Sequence, residues 1–359
     1  MRILYGVVGE GMGHAIRSRA VLDHLIGEGH DVHIVASQRA VDFLRKHFDA
    51  DAVSRIHGLH MVTEDNRVRR GKTLWSNVLD GTAALPGQIR AYFDLIEKFE
   101  PEAVISDFES WTYYFGRAHR LPTFSIDNMQ IIHRCSLPDE VIGDYRAEFE
   151  IAKAFIRGKL PRADHYFITT FFRPPTRKDD TTLVPPILRS DVLQAKPEDG
   201  EHLLVYQTAE GNQELVSALA ASGLECRIYG MRRDIDSEQV EGALRYRPFS
   251  EAGFIDDLRT ARGVVTGGGF TLMSECVYLH KPTLSIPIEQ HFEQILNGQY
   301  LQHEGYGCFA PTANAAAVGA FLEAIPECAA KLAGVTQDGN TALFAVLDEH
   351  LDRAAAGLY

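Results

Sequence analysis

The sequence lacks the features of secreted and membrane-spanning proteins. No stretch reaches about eighteen uninterrupted apolar residues, which is the length that a membrane-spanning helix needs. The N-terminus begins directly with a strand pattern at Arg2, with neither the basic start nor the long apolar run of a secretory signal. We therefore expect a cytoplasmic protein that makes, at most, peripheral contact with membranes.

Basic residues are fewer than acidic ones, and the cysteines do not occur at paired spacings. The chain has 36 Lys and Arg residues against 49 Asp and Glu residues, a net charge of −13, whereas nucleic-acid recognition needs a basic surface. A nucleic-acid partner is therefore not expected. The five cysteines are Cys135, Cys226, Cys276, Cys308 and Cys328. Their odd number and wide spacing match no zinc or redox motif and favour a reducing compartment.

What is present is a repeated alternation of strands and helices. The N-terminal residues predict a strand at Ile3 to Val8, a glycine-rich loop, a helix at His14 to Gly27 and a strand at Asp31 to Ala36. A second cycle of the same kind starts with a strand at His202 to Tyr206. Such alternation predicts parallel sheets, and 359 residues are enough for two domains. We therefore predict an α/β protein with two Rossmann-like domains.

Composition indicates where the two domains divide. Prolines and charges without helical or alternating periodicity fill the segment from Leu183 to Gly200, as expected for an interdomain linker. The predicted division is residues 1–183 for the first domain, 184–200 for the linker, 201–338 for the second domain and 339–359 for a C-terminal helix. That helix could pack back on the first domain.

The first glycine-rich loop, Gly9 to His14, follows a strand and opens a helix, so its amides could face an anion. It does not match the dinucleotide fingerprint G-x-G-x-x-G, because His14 stands where the last glycine is needed. The second strand also ends at Ala36-Ser37 without the acidic residue that holds a ribose. A dehydrogenase is therefore not expected.

Two polar residues are predicted at the carboxyl edge of the first sheet, where open α/β folds place their chemistry. An imidazole titrates near neutrality, so His14 could act as a general base, or it could only cap or pack the loop. Asp107 follows the strand Ala103 to Ser106. It could accept a hydrogen bond from the other imidazole nitrogen, cap the next helix, or do both.

The second half contains a longer glycine-loop motif than the first, between Val264 and Glu275. In it a predicted buried strand leads through Gly267 to Gly269 into a helix. The bare amides and the helix dipole could stabilise a leaving diphosphate without a metal, and a merely tight turn is the alternative. Glu275 could bind a ribose diol. The polar run from Pro287 to Asn297 offers donors and acceptors for sugar hydroxyls, or is only a solvated helix start.

A metal site is not expected, although Asp234 and Asp236 match the D-x-D pattern of metal-dependent sugar transferases. They follow two arginines in a polar stretch that is typical of a solvated loop. Asp256 and Asp257 are likewise predicted on the polar face of a helix.

Taken together, these segments resemble the GT-B superfamily of glycosyltransferases, most closely the MurG-like group (glycosyltransferase family 28-like). That group includes the N-acetylglucosaminyltransferase of peptidoglycan synthesis. The resemblance runs through both domains and is densest at Gly9 to His14, Pro186 to Arg189, Phe254 to Leu258, the glycine loop with Ser274-Glu275, and Glu293 to Asn297. It implies two domains facing across a cleft, the first binding the acceptor and the second a nucleotide sugar.

The resemblance also implies roles for the matched residues. His14 would be the catalytic base and Asp107 its partner. The residues implied in donor binding are Arg189, Thr208, Phe249, Phe254, Gly268, Gly269, Thr271, Ser274, Glu275, His291, Glu293 and Gln294.

Within that donor set, each part of the nucleotide sugar has its own residues. Glu275 would hold the ribose, and Gly268, Gly269 and Thr271 would border the diphosphate with help from Arg189. The base would lie near the two phenylalanines, and the sugar near Glu293 and Gln294. Two departures leave the sugar's identity open: the stretch 207–211 lacks the family's double glycine, and His291 replaces a common acidic residue.

The activity implied is an inverting, metal-independent transfer of a sugar from a UDP-sugar to an acceptor hydroxyl, with no cofactor. The acceptor would be a small molecule or lipid-linked. Arg67 to Lys72 and Trp75 to Leu85 could suit a lipid or anionic acceptor, and a solvated loop beside a core helix explains them equally well. The alternatives are a UDP-sugar 2-epimerase of the same fold and a non-catalytic nucleotide-sugar-binding protein.

Overall fold

The computed structural model describes residues 1–9, 11–56, 96–207, 212–289 and 291–359, together with the backbone of two short strands between residues 63 and 68. The strands before residue 185 are β1 (Arg2–Val7), β2 (Asp31–Ser37), β3 (Val53–Ile56), β4 (Thr63–Glu64), β5 (Arg67–Val68), β6 (Ala103–Asp107), β7 (Thr123–Asp127), β8 (His165–Thr169) and β9 (Thr181–Val184). The later strands are β10 (Leu203–Tyr206), β11 (Cys226–Tyr229), β12 (Gln239–Glu241), β13 (Leu244–Tyr246), β14 (Gly263–Thr266), β15 (Thr283–Ser285) and β16 (Gly307–Phe309). The helices are α1 (Met12–Gly27), α2 (Gln38–Leu44), α3 (Ser110–His119), α4 (Ile131–Arg134), α5 (Asp139–Ile142), α6 (Arg146–Lys159), α7 (Ser190–Gln194), α8 (Gln213–Ala221), α9 (Glu251–Arg259), α10 (Phe270–Tyr278), α11 (Phe292–His303), α12 (Ala315–Leu332) and α13 (Thr341–Ala355).

The first sheet has the strand order β3-β2-β1-β6-β7-β8-β9, and all neighbouring strands are parallel. Every residue of β6, β7 and β8 is buried, as expected for parallel strands covered on both faces. The order reverses between β1 and β6. The loops after these two strands diverge, and this is the point where α/β sheets bind ligands.

The second sheet has the order β12-β13-β11-β10-β14-β15-β16, and all its pairs are parallel except β12 with β13. Its order reverses between β10 and β14, and the triple-glycine loop follows β14 directly. Each sheet therefore has one reversal point of its own. The predicted α/β class with two parallel sheets is confirmed, and the strands and helices predicted in the two opening units lie within two residues of the observed ones.

The predicted linker, residues 184–200, is more structured than its composition indicated. Helix α7 lies inside it, and Ile187, Leu188 and Val192 are buried. Val192 packs in the same apolar cluster as Leu204 and Leu258 of the second half. The expectation of a stretch without helix was wrong, because three apolar side chains among the prolines and charges are enough to anchor this segment.

The C-terminal helix α13 lies against the first sheet. Leu343, Leu347 and Leu351 recur every fourth residue, so they share one face of the helix, and all three are buried in the cluster under β1 and β2. The turn before the helix is fixed by Asn340, whose side chain accepts from the Leu188 amide at 2.8 Å and donates to the Leu188 carbonyl at 2.7 Å.

Helix α11 of the second half also packs against the first half. Its residues Phe292, Leu296 and Tyr300 share an apolar cluster with Phe149 and Phe172. The Tyr300 ring stacks on that of Phe172 with 3.7 Å between centroids. None of the helices that the structure describes is long and apolar enough to cross a bilayer.

Candidate active site between the two sheets

His14 and Asp107 meet at the reversal point of the first sheet. Asp107 is the last residue of β6 and pairs in register with Val7, while His14 lies in the first turn of the helix that follows β1. Their side chains are in contact, with Nδ1 of His14 2.7 Å from Oδ1 of Asp107. The carboxylate is buried, whereas 15% of the His14 side-chain surface is exposed. Of the two roles considered for Asp107, the histidine partner is the one observed.

The helix after β6 is capped by a different residue. The Glu109 carboxylate accepts from the amides of Trp111 and Thr112 at 2.8 and 2.7 Å, which are free donors of the first turn. Asp107 is therefore not needed as a cap, and both of its oxygens serve the first glycine loop and α1.

Arg17 is a buried member of this cluster that the sequence analysis missed. Its Nε donates to Oδ2 of Asp107 at 2.9 Å, and Ser18 donates to the same oxygen at 2.9 Å. A second guanidinium nitrogen donates to Oδ1 of Asp107. The spacing from His14 to Arg17 places both on one face of α1, which is the signal that could have identified it.

The charge state of Asp107 follows from these neighbours. Burial alone would raise the pKa of this carboxyl, but the charges and hydrogen bonds of Arg17 and His14 outweigh burial and hold the pKa well below its usual range. Asp107 is therefore a full negative charge beside Nδ1 of the imidazole. With a proton on Nδ1 the imidazole donates to Oδ1 of Asp107 and keeps its lone pair on Nε2. An Arg17 guanidinium nitrogen, which can only donate, lies 2.7 Å from the same Nδ1.

The triple-glycine loop is shaped by Gly268. This residue has a φ of +85°, and a Cβ there would lie 2.9 Å from the carbonyl oxygen of Gln294, so only glycine fits without strain. The Gly268 carbonyl accepts from Asn297 Nδ2 at 3.1 Å. Gly269 caps helix α10, and a Cβ built on it meets no atom within 4 Å. The loop is thus fixed on one side and open on the other.

The two glycine loops lie against each other. The hydroxyl of Thr271, in the first turn of α10, donates to the carbonyl oxygen of Gly13 at 3.2 Å. A Cβ on Gly13 would come within 2.7 Å of the same hydroxyl. His14 and the N-terminus of α10 are therefore part of one site, although 257 positions (271 − 14) separate Thr271 from His14 in the sequence.

A hydrogen-bonded chain of side chains also joins the two halves. Asn128, which follows β7, accepts from Arg17 Nη1 at 2.5 Å and donates to Oε1 of Glu293 at 2.9 Å. Asn297 donates to the same Glu293 oxygen at 2.8 Å and so connects it to the glycine loop. Asn128 is the second residue that the sequence analysis missed. It links the cluster of His14, Asp107 and Arg17 to α11.

Other predicted donor residues surround Glu293. His291 has its Nδ1 3.8 Å from Oε2 of Glu293, and that buried nitrogen has no hydrogen-bond partner among the described residues. Gln294 accepts from the amide of Ile288 at 2.9 Å, which fixes the turn after β15. The structure therefore brings these three residues together near the triple-glycine loop.

Glu275 and Arg189 are paired with each other. The guanidinium donates to both carboxylate oxygens at 2.8 and 3.0 Å, and a third donor contacts Glu251 at 3.0 Å. Burial raises the pKa of Glu275, and the Arg189 charge partly offsets that effect. Their implied contacts with ribose and diphosphate remain predictions, since each now has a buried partner in the other.

The remaining predicted donor residues in the described part of the second half include Phe254, Phe249 and Ser274. Phe254 is a core residue that packs edge-on against Tyr206 and Tyr229, and its implied place near the base stays a prediction. Its partner Phe249 is 73% exposed. The Ser274 hydroxyl is buried and donates to the Phe270 carbonyl of its own helix at 2.8 Å, so it is not directed at a ligand.

Two further predictions concern loops and acidic residues. Thr208 lies outside the described residues, as do Trp75 to Leu85 and the side chains of Arg67 to Lys72.

The acidic pairs differ in exposure, and Asp234 and Asp236 are exposed. Asp257 is not on a solvated face: it is buried and bonded to Arg227 and to the Tyr229 hydroxyl, both at 2.6 Å. In the described part of the chain, no three His, Cys, Asp or Glu side chains are grouped to hold a metal ion.

Known proteins similar to this chain agree with this architecture. It is 24% identical over 340 residues to an uncharacterized glycosyltransferase of Methanosarcina mazei, a match that covers 86% of this chain and 85% of the relative. It is 25% identical over 236 residues to an uncharacterized glycosyltransferase of Methanopyrus kandleri, covering 60% and 65% of the two chains.

Solved structures share the fold at low identity. The glycotransferase of kitacinnamycin superposes with a TM-score of 0.68 at 14% identity, over 97% of this chain and 98% of the other. A UDP-glucosyltransferase from Polygonum tinctorium gives 0.68 at 13% identity, over 98% of both chains. These likenesses establish the two-sheet GT-B fold that the sequence resemblance implied.

The family match covers most of the chain and includes both glycine loops. Residues 1–326 match the family described as glycosyl transferase family 1. The chain is therefore a GT-B glycosyltransferase that belongs to glycosyl transferase family 1.

Proposed function

We propose that this protein is an inverting, metal-independent transferase that moves a sugar from a UDP-sugar to an acceptor hydroxyl. The observation that carries this proposal is the contact between Thr271 and Gly13, which puts His14 beside the N-terminus of α10. A base for the acceptor and a cradle for a leaving diphosphate would then lie on two neighbouring loops.

The base in this proposal is Nε2 of His14. It removes the proton from the acceptor hydroxyl while the hydroxyl oxygen forms a bond to the anomeric carbon. The bond from that carbon to the diphosphate oxygen breaks, and its electron pair leaves with UDP. Asp107 stabilises the imidazolium that results. One displacement on the face opposite the leaving group inverts the anomeric configuration.

The leaving group would be stabilised by the open side of the glycine loop. The amides at Gly268 and Gly269 and the N-terminus of α10 carry partial positive charge, equivalent to about half an elementary charge at a helix N-terminus. This supply of fixed dipoles is our reason for proposing that no metal is needed. Thr271 would add a hydroxyl at the same border.

The donor sugar would lie between the two halves, near Glu293, Gln294 and His291. His291 Nδ1 is a buried nitrogen without a partner in the described structure, so a sugar hydroxyl would satisfy it. Glu275 and Arg189 would meet the ribose and the diphosphate by exchanging part of their mutual pairing. The MurG-like resemblance and the name of the Polygonum relative, a UDP-glucosyltransferase, support uridine as the base.

The acceptor would bind to the first half and be a small molecule or lipid-linked compound, and we propose a cytoplasmic location. The free state of all five cysteines is consistent with a reducing compartment. Burial raises the pKa of the Cys226 thiol to about 11, which disfavours the reactive thiolate.

The proposal is tested by thermal unfolding with UDP, UDP-sugars, NAD and NADP. A ligand at one hundred times its Kd adds about 2.7 kcal/mol of stability, which is a rise of several degrees in Tm for a protein of this size. We expect UDP and one UDP-sugar to stabilise, and that sugar to remain unchanged without acceptor when analysed by mass spectrometry and NMR. An isomerised sugar would identify an epimerase instead, and stabilisation by NAD alone would overturn the proposal.

A further inference from the structure

A basic cavity of about 770 Å³ lies in the first half, apart from both glycine loops. Its wall includes the end of α4, part of α6 and the segments that precede β8 and β9. Those two segments enter the sheet at the edge opposite to His14 and Asp107. The Lys and Arg residues that line the cavity are Arg134, Lys153, Arg157, Arg162, Arg177 and Lys178.

These cations are poorly compensated from within the cavity. Asp180 is the one carboxylate in the lining, and it is paired with Arg134, which is itself buried and lies over the Tyr166 ring at 3.6 Å. Lys153 makes a long contact of 3.9 Å with Glu150. A chain with a net charge of −13 thus concentrates positive charge around one cavity, which raises the local concentration of anions.

His133 gives an independent sign of the same field. The residue lines the cavity, and its buried Nδ1 has no hydrogen-bond partner among the described residues. Burial and the charges of Arg134, Arg177, Arg157 and Lys178 lower the pKa of this imidazole to about 4. The imidazole is therefore neutral at physiological pH.

We propose that this cavity is a second binding site, specific for a phosphate ester, in addition to the donor site. Lys and Arg side chains from separate segments would bind the phosphate oxygens, with His133 as a neutral hydrogen-bonding partner. The volume falls within the roughly 300–1,000 Å³ that small-molecule pockets occupy, so the cavity has room for the organic part of the ester as well as the phosphate.

The phosphate ester could be free or belong to a lipid headgroup, since the chemistry at the cavity is the same. Ile151 and Phe155, which are 48% and 46% exposed, lie on α6 with Lys153 and Arg157. These positions are two residues from Lys153 and Arg157, so they point to a different face of α6 from the two cations and do not favour one source over the other. The experiment therefore has one arm for each source.

The test compares three forms of the full chain: wild type, the double variant Arg157→Gln/Lys178→Gln, and the control Lys46→Gln/Arg262→Gln. All four residues are exposed, and both pairs remove two positive charges, but Lys46 and Arg262 are outside the cavity lining. Binding of glycerol 3-phosphate is measured by calorimetry. Sedimentation then measures binding to phosphatidylcholine vesicles with and without phosphatidic acid. Far-UV circular dichroism and the urea midpoint confirm that each protein is folded.

We expect wild type and control to bind at least one probe, and the cavity variant to bind it about tenfold more weakly or not at all. Loss of both glycerol 3-phosphate and vesicle binding would indicate that the free ester suffices. Loss of vesicle binding alone would identify a lipid headgroup. Equal binding by the three proteins would put the anion elsewhere, including at the glycine loops, and would overturn the proposal, as would no binding of either probe by the wild type. Should the double variant not fold, Lys178→Gln alone is compared with Lys46→Gln on the same criteria.

Discussion

At the scale of single residues, Arg17 is what makes a buried Asp107 possible beside His14. An isolated carboxylate in a dry interior is costly, and removing one partner of a buried ion pair typically costs about 3–5 kcal/mol. We therefore expect Arg17→Gln to lower the free energy of unfolding by about 3 kcal/mol at pH 7, measured by urea denaturation. Arg19→Gln is the matched control, because Arg19 is on the same helix and makes only a 3.7 Å contact with Asp23 near the surface.

The same pair predicts how stability depends on pH. The folded-state pKa of Asp107 is depressed, so its contribution is fully present above the unfolded-state pKa of about 3.9 and is lost as the pH falls toward the folded-state value. Without Arg17, burial raises the pKa of Asp107, and protonation then relieves the buried charge. The stability gap between wild type and Arg17→Gln should therefore narrow as the pH falls. It should narrow first above about pH 4, where the raised pKa lets Asp107 of the variant take up a proton, and further below about pH 4, where the wild type loses its contribution. A gap of constant size from pH 7 to pH 3 would show that the arginine acts by packing alone.

The role of His14 is tested by its own substitution. A general base contributes typically 10²–10⁴-fold to rate, so His14→Ala should lower kcat by about a hundredfold or more. The Kd for UDP, measured by calorimetry, should change little because the imidazole is proposed to contact the acceptor and not the donor. His303→Ala, an exposed histidine on α11, serves as the control. Unchanged turnover in His14→Ala would remove the histidine from the mechanism.

At the scale of elements, two neighbouring glycines of the triple-glycine loop have different roles. Gly268 is required by the fold, whereas Gly269 is proposed to leave room for the ligand. Gly268 has a positive φ, and a Cβ on it would lie 2.9 Å from the Gln294 carbonyl oxygen. Gly268→Ala should therefore destabilise the protein by roughly 1–3 kcal/mol. Gly269 has ordinary φ and open space beside it. Gly269→Ala should lower the urea midpoint less, because it loses only the preference of a helix N-cap for glycine over alanine.

The open space beside Gly269 is where we propose that the diphosphate binds. A methyl group there should weaken UDP binding by about tenfold, equivalent to 1.4 kcal/mol, in a calorimetric titration. Gly319→Ala provides the comparison, since Gly319 also has open space but lies in α12. If Gly269→Ala and Gly319→Ala bind UDP equally well, the diphosphate lies elsewhere.

Helices and strands were predictable from the sequence where a single local pattern determines the element. The strand before the triple glycine, the helix after it and the opening βαβ unit follow from apolar runs broken by glycine, and they agree with the structure within two residues. Arg17 could have been found only through its helical spacing from His14. Asn128 was not predictable, because it lies 111 residues from Arg17 and no local pattern encodes their hydrogen bond. Phe254 was assigned to the site from a family motif, and its place on the buried face of α9 makes it a core residue.

At the scale of the whole molecule, the two halves are connected by more than the segment between them. Helix α11 of the second half shares an apolar cluster with Phe149 and Phe172 of the first, and Asn128 and Glu293 are hydrogen-bonded at 2.9 Å. The chain then returns, through Asn340, to place α13 on the first sheet. These contacts keep His14 and Gly268 in a defined relation.

The returning helix α13 should therefore contribute to the stability of the first half, although it comes last in the sequence. Leu347 is fully buried, and Leu347→Ala should cost about 2–5 kcal/mol, whereas Leu358→Ala, at a residue 64% exposed, should cost less than about 0.5 kcal/mol. Both tryptophans, Trp75 and Trp111, precede β9, so their fluorescence reports on the first half. We expect Leu347→Ala to shift the fluorescence-detected urea midpoint downward and Leu358→Ala to leave it in place. If Leu347→Ala leaves that midpoint unchanged and shifts only the transition seen by circular dichroism, α13 does not stabilise the first sheet, and the two halves unfold independently.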